Sequence, residues 1–172
     1  MTDPTVGRLT FVRVIGREPT DREMARLLAA YLDRLGREVD LSLGYHVMPG
    51  VASVLPRLIE EGVLLGIVSG ALEAAAHIKL ARGGLNRFFS FGVYGSDSSE
   101  RSQLTRLAIE RTGRIHGQTL DAARLLVIGD TPRDKFSKPG SKLAAFGIGN
   151  ERMDVSSDRD HGVLDHVLGF FV

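Results

Sequence analysis

Asp130 and Asp134 are the acidic pair with the clearest chemical potential. They lie four residues apart, and only Gly129 separates Asp130 from the apolar run Leu125–Ile128. Two carboxylates at the end of a strand, together with water and a substrate phosphate, supply the oxygen ligands that Mg²⁺ prefers. The structural alternative is that both acids stabilise the start of a helix. For the whole pattern, an apolar strand followed by GDTxxD, we favour the metal site.

Ser69 and Gly70 follow a second apolar run, Val63–Val68. A hydroxyl at the end of a strand can donate to a phosphoryl oxygen, and the glycine lets backbone N–H groups approach the same anion. The structural alternative is that Ser69 caps a helix beginning near Leu72, which is a common use of serine. Taken alone, Ser69 favours that alternative. Beside the acidic pair, contact with a phosphate is the better interpretation.

Arg101 lies after the polar segment 95–100, which follows the apolar run Phe89–Tyr94. A guanidinium matches the charge and the geometry of a phosphate. The alternative is a surface arginine in an early helical turn, with Glu100 competing for its charge. Only the position along the chain supports the functional interpretation. The five histidines lack the spacing of a metal site and receive no role: His46, His77, His116, His161 and His166.

Strands and helices are predicted to alternate from about residue 47 onwards. The apolar runs predict four strands, at Val63–Val68, Phe89–Tyr94, Leu125–Ile128 and Leu143–Ile148. Helical spacing of apolar residues predicts helices before, between and after the first two, near 51–60, 72–81 and 100–111. This alternation predicts an α/β fold with right-handed crossovers and a Rossmann-like open parallel sheet. Ligands bind beyond the carboxyl ends of such strands, so the residues following the strands are expected to line one cleft.

The first 46 residues predict helices only. Thr2-Asp3-Pro4 suits a helix start with proline at the first position. Thr20 and Glu23 form the pattern of a capping box, apolar residues at helical spacing follow it, and Gly36 is the predicted stop. We therefore divide the chain into a partial helical cap, residues 1–46, and an α/β core, residues 47–172.

Composition excludes several classes of protein. The chain has 22 Lys and Arg against 21 Asp and Glu, a net charge of +1, without the positive excess of a nucleic-acid-binding protein. It has no cysteine, which excludes disulfides and thiolate metal sites and fits a reducing compartment. No apolar run reaches the roughly 20 residues needed to cross a bilayer, and no signal-peptide pattern is present. We expect a cytoplasmic protein that binds neither nucleic acid nor membrane.

The motifs together resemble those of the haloacid dehalogenase (HAD) superfamily. Ser69-Gly70, Arg101 and the segment 125–134, LLVIGDTPRD, are similar to its second, third and fourth motifs. The segment 49–97 resembles the phosphoglycolate-phosphatase-like branch, and the helices of the first 46 residues resemble the helical cap of that branch. GDTxxD is the most specific of these elements.

The resemblance implies Mg²⁺-dependent hydrolysis of a phosphate monoester. In this family an aspartate attacks the phosphoryl group and forms an aspartyl-phosphate, which water then hydrolyses. By resemblance, Ser69 and Gly70 would contact the phosphate, Arg101 would stabilise its charge during catalysis, and Asp130 with Asp134 would hold the metal. The cap would close over a small phosphorylated substrate.

One element of the family is missing, the DxDGT motif that carries the nucleophilic aspartate. The family has it at the end of the first strand, before the cap, and that strand lies in the middle of the sheet. No apolar strand precedes any of the early aspartates, which are Asp3, Asp21, Asp33 and Asp40, and Asp158-Arg159-Asp160 has the spacing without the strand. We therefore expect the first, central strand to be absent, leaving two open edges between the strands that end near Ser69 and Asp130.

Three hypotheses follow. The leading one is a truncated phosphatase, inactive without the nucleophilic aspartate. The second is a non-catalytic, degenerate HAD-fold module that binds a phosphorylated ligand or a protein partner. In the third, a complementing chain supplies the missing strand; a homodimer is also left open. A nucleotide-binding Rossmann domain is not supported, because no G-x-G-x-x-G follows a strand.

A second departure from the family pattern follows Asp134. The segment Lys135–Gly140 would break the helix that usually follows the acidic motif.

Overall fold

The computed structural model of the chain describes residues 1–117, 126–128 and 168–170. Within these residues there are five helices and four strands, and the order from α3 to β3 follows the prediction. The helices are α1 Asp3–Ile15, α2 Asp21–Leu41, α3 Val51–Glu60, α4 Glu73–Arg82 and α5 Arg101–His116. The strands are β1 Leu65–Val68, β2 Phe91–Val93, β3 Leu126–Ile128 and β4 Leu168–Phe170, and a short 3₁₀ turn, Asn86–Phe88, precedes β2.

The four strands form one parallel sheet in the order β2-β1-β4-β3. Every residue of β1 is buried, because β1 lies inside the sheet with helices on both faces. Ile67 packs with α4 on one face, and Val68 packs with α5 on the other. This two-sided burial is why β1 is continuously apolar rather than alternating. The predicted α/β class and parallel sheet are confirmed.

The middle of the sheet differs from the expectation of two open edges. Strand β4 lies between β1 and β3 and pairs with both, Leu168 standing opposite Leu65 on one side and Leu126 on the other. A gap there would leave backbone N–H and C=O groups of β1 and β3 unpaired, which is unfavourable inside a sheet. The C-terminal segment, for which we predicted no strand, supplies these partners. The predicted strand Leu143–Ile148 lies outside the described residues.

Helix α2 continues past its predicted stop. Gly36 lies inside α2, which ends only at Leu41. Glycine costs about 1 kcal/mol in a helix, but the last turns bury Val39, and that burial offsets the cost. Helix α5 also runs beyond its predicted end, to His116, where Gly117 takes the left-handed conformation (φ 66°) that commonly ends a helix.

Helix α2 packs directly on α4. Its apolar face contacts the core cluster of α4 and β1 through Leu28, Tyr31, Leu32 and Leu35. Helix α1 lies on α2, with Gly7 facing Met24 at close range. The layers are therefore α1 on α2, α2 on α4, α4 on the sheet, and α5 on the opposite face. The division into a cap (1–46) and a core (47–172) stays a prediction. Among the described residues, no helix combines the length and the apolar character needed to cross a membrane.

Candidate functional site

Ser69 lies at the carboxyl end of β1 and is fully buried. Its backbone N–H donates to the carbonyl of Val93 at 2.9 Å, which extends the pairing of β1 with β2. Its hydroxyl oxygen accepts from the N–H of Ala71 at 3.1 Å, closing a tight turn before α4. The helix cap itself is Leu72 rather than Ser69. The hydroxyl therefore stabilises the turn that precedes α4, which is a common use of serine.

Gly70 and Gly95 approach each other at the ends of β1 and β2. A Cβ atom on Gly95 would lie 2.2 Å from the carbonyl oxygen of Gly70 and 3.0 Å from the Cβ of Thr2. The N–H of Gly95 donates to the carbonyl of Ala71 at 2.7 Å. Only a residue without a side chain fits there. The two loops following the strands are thus fastened together, and the first residues of the chain lie across them.

Asp3 brings a carboxylate to the same turn. Its Oδ2 accepts from the N–H of Leu72 and from the hydroxyl of Tyr31, both at 3.1 Å. Burial, and then the charge of Asp3, raise the pKa of Tyr31 to about 12, so the phenol keeps its proton at a pH above 10, where a free tyrosine loses it. The sequence showed Asp3 only as part of a helix start. No local signal reveals its bonds, because its partners are 28 and 69 residues away.

A partly exposed chain of hydrogen bonds links Tyr94, which follows β2, to α4 and the 3₁₀ turn. The hydroxyl of Tyr94 lies 3.1 Å from Nε2 of His77, and Nδ1 of His77 lies 2.9 Å from Oδ1 of Asn86. The amide of Asn86 donates to the carbonyl of His77, so its oxygen is the acceptor. Nδ1 of His77 therefore donates to Asn86, and Nε2 shares a hydrogen bond with the hydroxyl of Tyr94. Burial, and then the charge of Glu73, raise the pKa of Tyr94 to about 12.

Asp97 fixes the loop between β2 and α5. Its Oδ2 accepts from the N–H of Tyr94 at 2.8 Å, and its Oδ1 pairs with Arg111 at 2.6 Å. Arg111 also bonds the carbonyl of Gly92. This loop leads directly to Arg101, the first residue of α5, whose side chain lies outside the described part of the structure.

The two predicted metal ligands, Asp130 and Asp134, lie outside the described residues. Strand β3 precedes them, and because it runs parallel to the other strands, its carboxyl end lies at the same edge of the sheet as Ser69. In the parts of the chain that the structure describes, no group of three or more His, Cys, Asp or Glu side chains could hold a metal ion. Of the predicted site residues, Ser69 and Gly70 thus lie directly after β1. Arg101 is the first residue of α5, which follows β2.

Comparison with known proteins agrees with this architecture. Residues 10–140 match the family model described as haloacid dehalogenase-like hydrolase. The chain belongs to this family. A crystal structure of a HAD phosphatase from Thermococcus onnurineus has a similar fold, with a TM-score of 0.54 over 96% of this chain and 83% of that chain. The two sequences are 17% identical, so the similarity shows the fold alone. No curated protein matches the chain.

The predicted HAD superfamily and its α/β fold are therefore confirmed. The phosphoglycolate-phosphatase-like branch stays a prediction, as do the roles of the site residues. This HAD family member also has a cavity of about 680 Å³, which lies apart from the residues that follow the strands. That cavity is formed by the end of α2, the loop after it, α3 and the end of α4, and neither Ser69 nor Gly70 lines it.

Proposed function

We propose that this HAD-family hydrolase acts on small phosphate monoesters with Mg²⁺, in the manner of phosphoglycolate phosphatases. The observation that supports the proposal is the turn after β1. It places the buried hydroxyl of Ser69 and the start of α4 at the carboxyl edge of a parallel sheet, the edge at which β3 also ends. Ligands bind at this edge in open α/β sheets, and the start of a helix favours an anion.

Each candidate residue has a role in this proposal. The Ser69 hydroxyl, whose oxygen accepts from the N–H of Ala71, contacts a phosphoryl oxygen of the substrate. Gly70 lets the backbone approach the same oxygen. Arg101 neutralises charge as the phosphoryl group is transferred. Asp130 and Asp134 supply the carboxylate oxygens that Mg²⁺ prefers, and the ion when bound would stabilise the negative charge of the phosphate.

Residues 1–46 act as part of a cap that selects the substrate, and residues 47–172 form the core. Support comes from the order of elements, because two helices precede α3 and β1 and the first of them begins at the edge of the candidate site. Cytoplasmic location is proposed on composition alone.

Turnover needs a nucleophile, and the 172 residues contain no DxDGT motif. We therefore propose that the chain hydrolyses phosphate esters only when a segment carrying that motif is joined to it. The test is Mg²⁺-dependent hydrolysis of an aryl phosphate by the chain alone and by a version extended with a strand and DxDGT. Activity of the extended version that disappears with a chelator and with Asp130→Asn supports the proposal. An extended, folded version that hydrolyses no phosphate monoester refutes it.

The absence of DxDGT favours one alternative, a non-catalytic HAD-fold module that binds a phosphorylated ligand or a protein partner. It predicts saturable binding of the ligand without turnover in both versions of the chain. Asp33→Asn is a suitable control in these assays, because Asp33 is an exposed residue of α2 that pairs with Arg37, one helical turn away.

A further inference from the structure

Asp3 joins three parts of the molecule at the edge of the candidate site. Its carboxylate accepts from the N–H of Leu72, at the start of α4, and from the hydroxyl of Tyr31 on α2. Its own N–H donates to the carbonyl of Gly70 at 2.8 Å. The main chain and the side chain of Asp3 therefore bond to Gly70 and to Leu72, both in the turn 69–72.

The residue before Asp3 is held as firmly. Thr2 is fully buried, and its hydroxyl shares a hydrogen bond of 3.0 Å with that of Thr5. Its Cα lies 3.4 Å from the position that a Cβ on Gly70 would take, and its Cβ lies 3.0 Å from the corresponding position on Gly95. Residues 1–3 thus lie in a notch that these two glycines leave open. Packing this close fixes where the Asp3 carboxylate can lie.

We propose that Asp3 is a positioning residue of the candidate active site, which holds the turn 69–72 in place and sets the position of α2 against it. The inference rests on the proposed function, because this turn is where the substrate phosphate would bind. Removing the carboxylate leaves the Leu72 N–H and the Tyr31 hydroxyl without this acceptor. The turn would then loosen, and with it the Ser69 hydroxyl, whose oxygen is bonded inside the same turn.

Amide hydrogen exchange of the full chain tests, without any assay of activity, whether Asp3 holds the turn 69–72 in place. With Asp3→Ala we expect exchange at the Leu72 amide to rise by about tenfold, since one hydrogen bond and the order of the turn are lost. The Val54 amide, which bonds the carbonyl of Gly50 at the start of α3, should not change. Asp33→Ala should leave Leu72 unchanged. Equal exchange at Leu72 in the parent and in Asp3→Ala overturns the proposal.

Binding of inorganic phosphate in the presence of Mg²⁺ tests the functional half. We expect Asp3→Ala to weaken phosphate binding by about tenfold. Asp3→Asn should bind at least as tightly as the parent, because it keeps an acceptor oxygen and removes a negative charge. If Asp3→Asn binds as weakly as Asp3→Ala, the carboxylate is not acting as a positioning acceptor and the proposal fails. If the parent itself binds no phosphate, the proposed function fails, and exchange at Leu72 alone decides the role of Asp3.

The conservative variant keeps the test decisive if Asp3→Ala does not fold. Part of the raised pKa of Tyr31 comes from the charge of Asp3. Asp3→Asn should therefore lower the pKa of Tyr31 from about 12, seen in an ultraviolet titration and assigned by comparison with Tyr31→Phe. An unchanged titration of Tyr31 in Asp3→Asn overturns the contact on which the proposal depends.

Discussion

Gly95→Ala adds one methyl group at the point where the loops following β1 and β2 meet. The new Cβ would lie 2.2 Å from the carbonyl oxygen of Gly70, well inside van der Waals contact. The obstacle is backbone, which cannot rotate away as a side chain can, and Thr2 closes the other side at 3.0 Å. Overpacking of this kind costs about 1–3 kcal/mol or more. We expect a value near the top of that range, about 3 kcal/mol.

Thermal unfolding followed by circular dichroism measures this effect. For a chain of this size, about 3 kcal/mol corresponds to a Tm lower by roughly 6–12 °C. Gly36→Ala is the matched control, because an added Cβ there meets no atom within 4 Å and the residue lies inside α2. That variant should gain about 0.5–1 kcal/mol and raise Tm by a few degrees. Equal Tm values for Gly95→Ala and the parent would refute the close approach of the two loops.

Three further predictions concern other parts of the fold. Thr20→Ala removes the side chain that accepts from the N–H of Glu23 at 3.3 Å, and should cost about 1 kcal/mol in chemical denaturation; no loss would mean that the capping box contributes nothing. The pKa values of Tyr31 and Tyr94 are raised to about 12, so the unfolded chain loses these protons first, from about pH 10. The free energy of unfolding should therefore fall between about pH 10 and 12, and should fall less steeply in the double variant Tyr31→Phe, Tyr94→Phe. Parallel plots of unfolding free energy against pH for the two proteins would contradict the burial of the two phenols. Gly169→Pro removes a backbone donor from β4 inside the sheet and should lower stability by about 2–4 kcal/mol, whereas an unchanged melting curve would argue against pairing of β4 with both neighbours.

Most elements of the fold could be predicted from local patterns. The run at 63–68 is continuously apolar because helices cover both faces of β1, and the Thr20–Glu23 pair forms the predicted capping box. Helix ends were less predictable. Gly36 looks like a stop in the sequence, yet the burial of Val39 in the next turn continues α2 to Leu41. At this position the burial of Val39, which the sequence does not show, outweighs the low helix propensity of glycine.

The candidate site was predictable where its residues follow strands. Ser69 and Gly70 were predicted as site residues because a polar residue and a glycine after an apolar run mark the carboxyl edge of a parallel sheet. The structure confirms that they follow β1, and their role stays a prediction. Asp3 and Tyr31 were missed. Asp3 lies at a helix start and Tyr31 on an apolar helical face, and both patterns have ordinary structural explanations.

The sequence by itself determined the α/β class, the family resemblance and the strand-end residues, because periodicity and short motifs depend on neighbours along the chain. The tertiary structure alone decided which segment pairs between β1 and β3 and which carboxylate reaches the turn 69–72. Both depend on contacts between residues far apart in the sequence, Leu65 with Leu168 and Asp3 with Leu72. Such contacts form wherever buried backbone groups need hydrogen-bond partners, and only the folded chain shows which partners lie within reach.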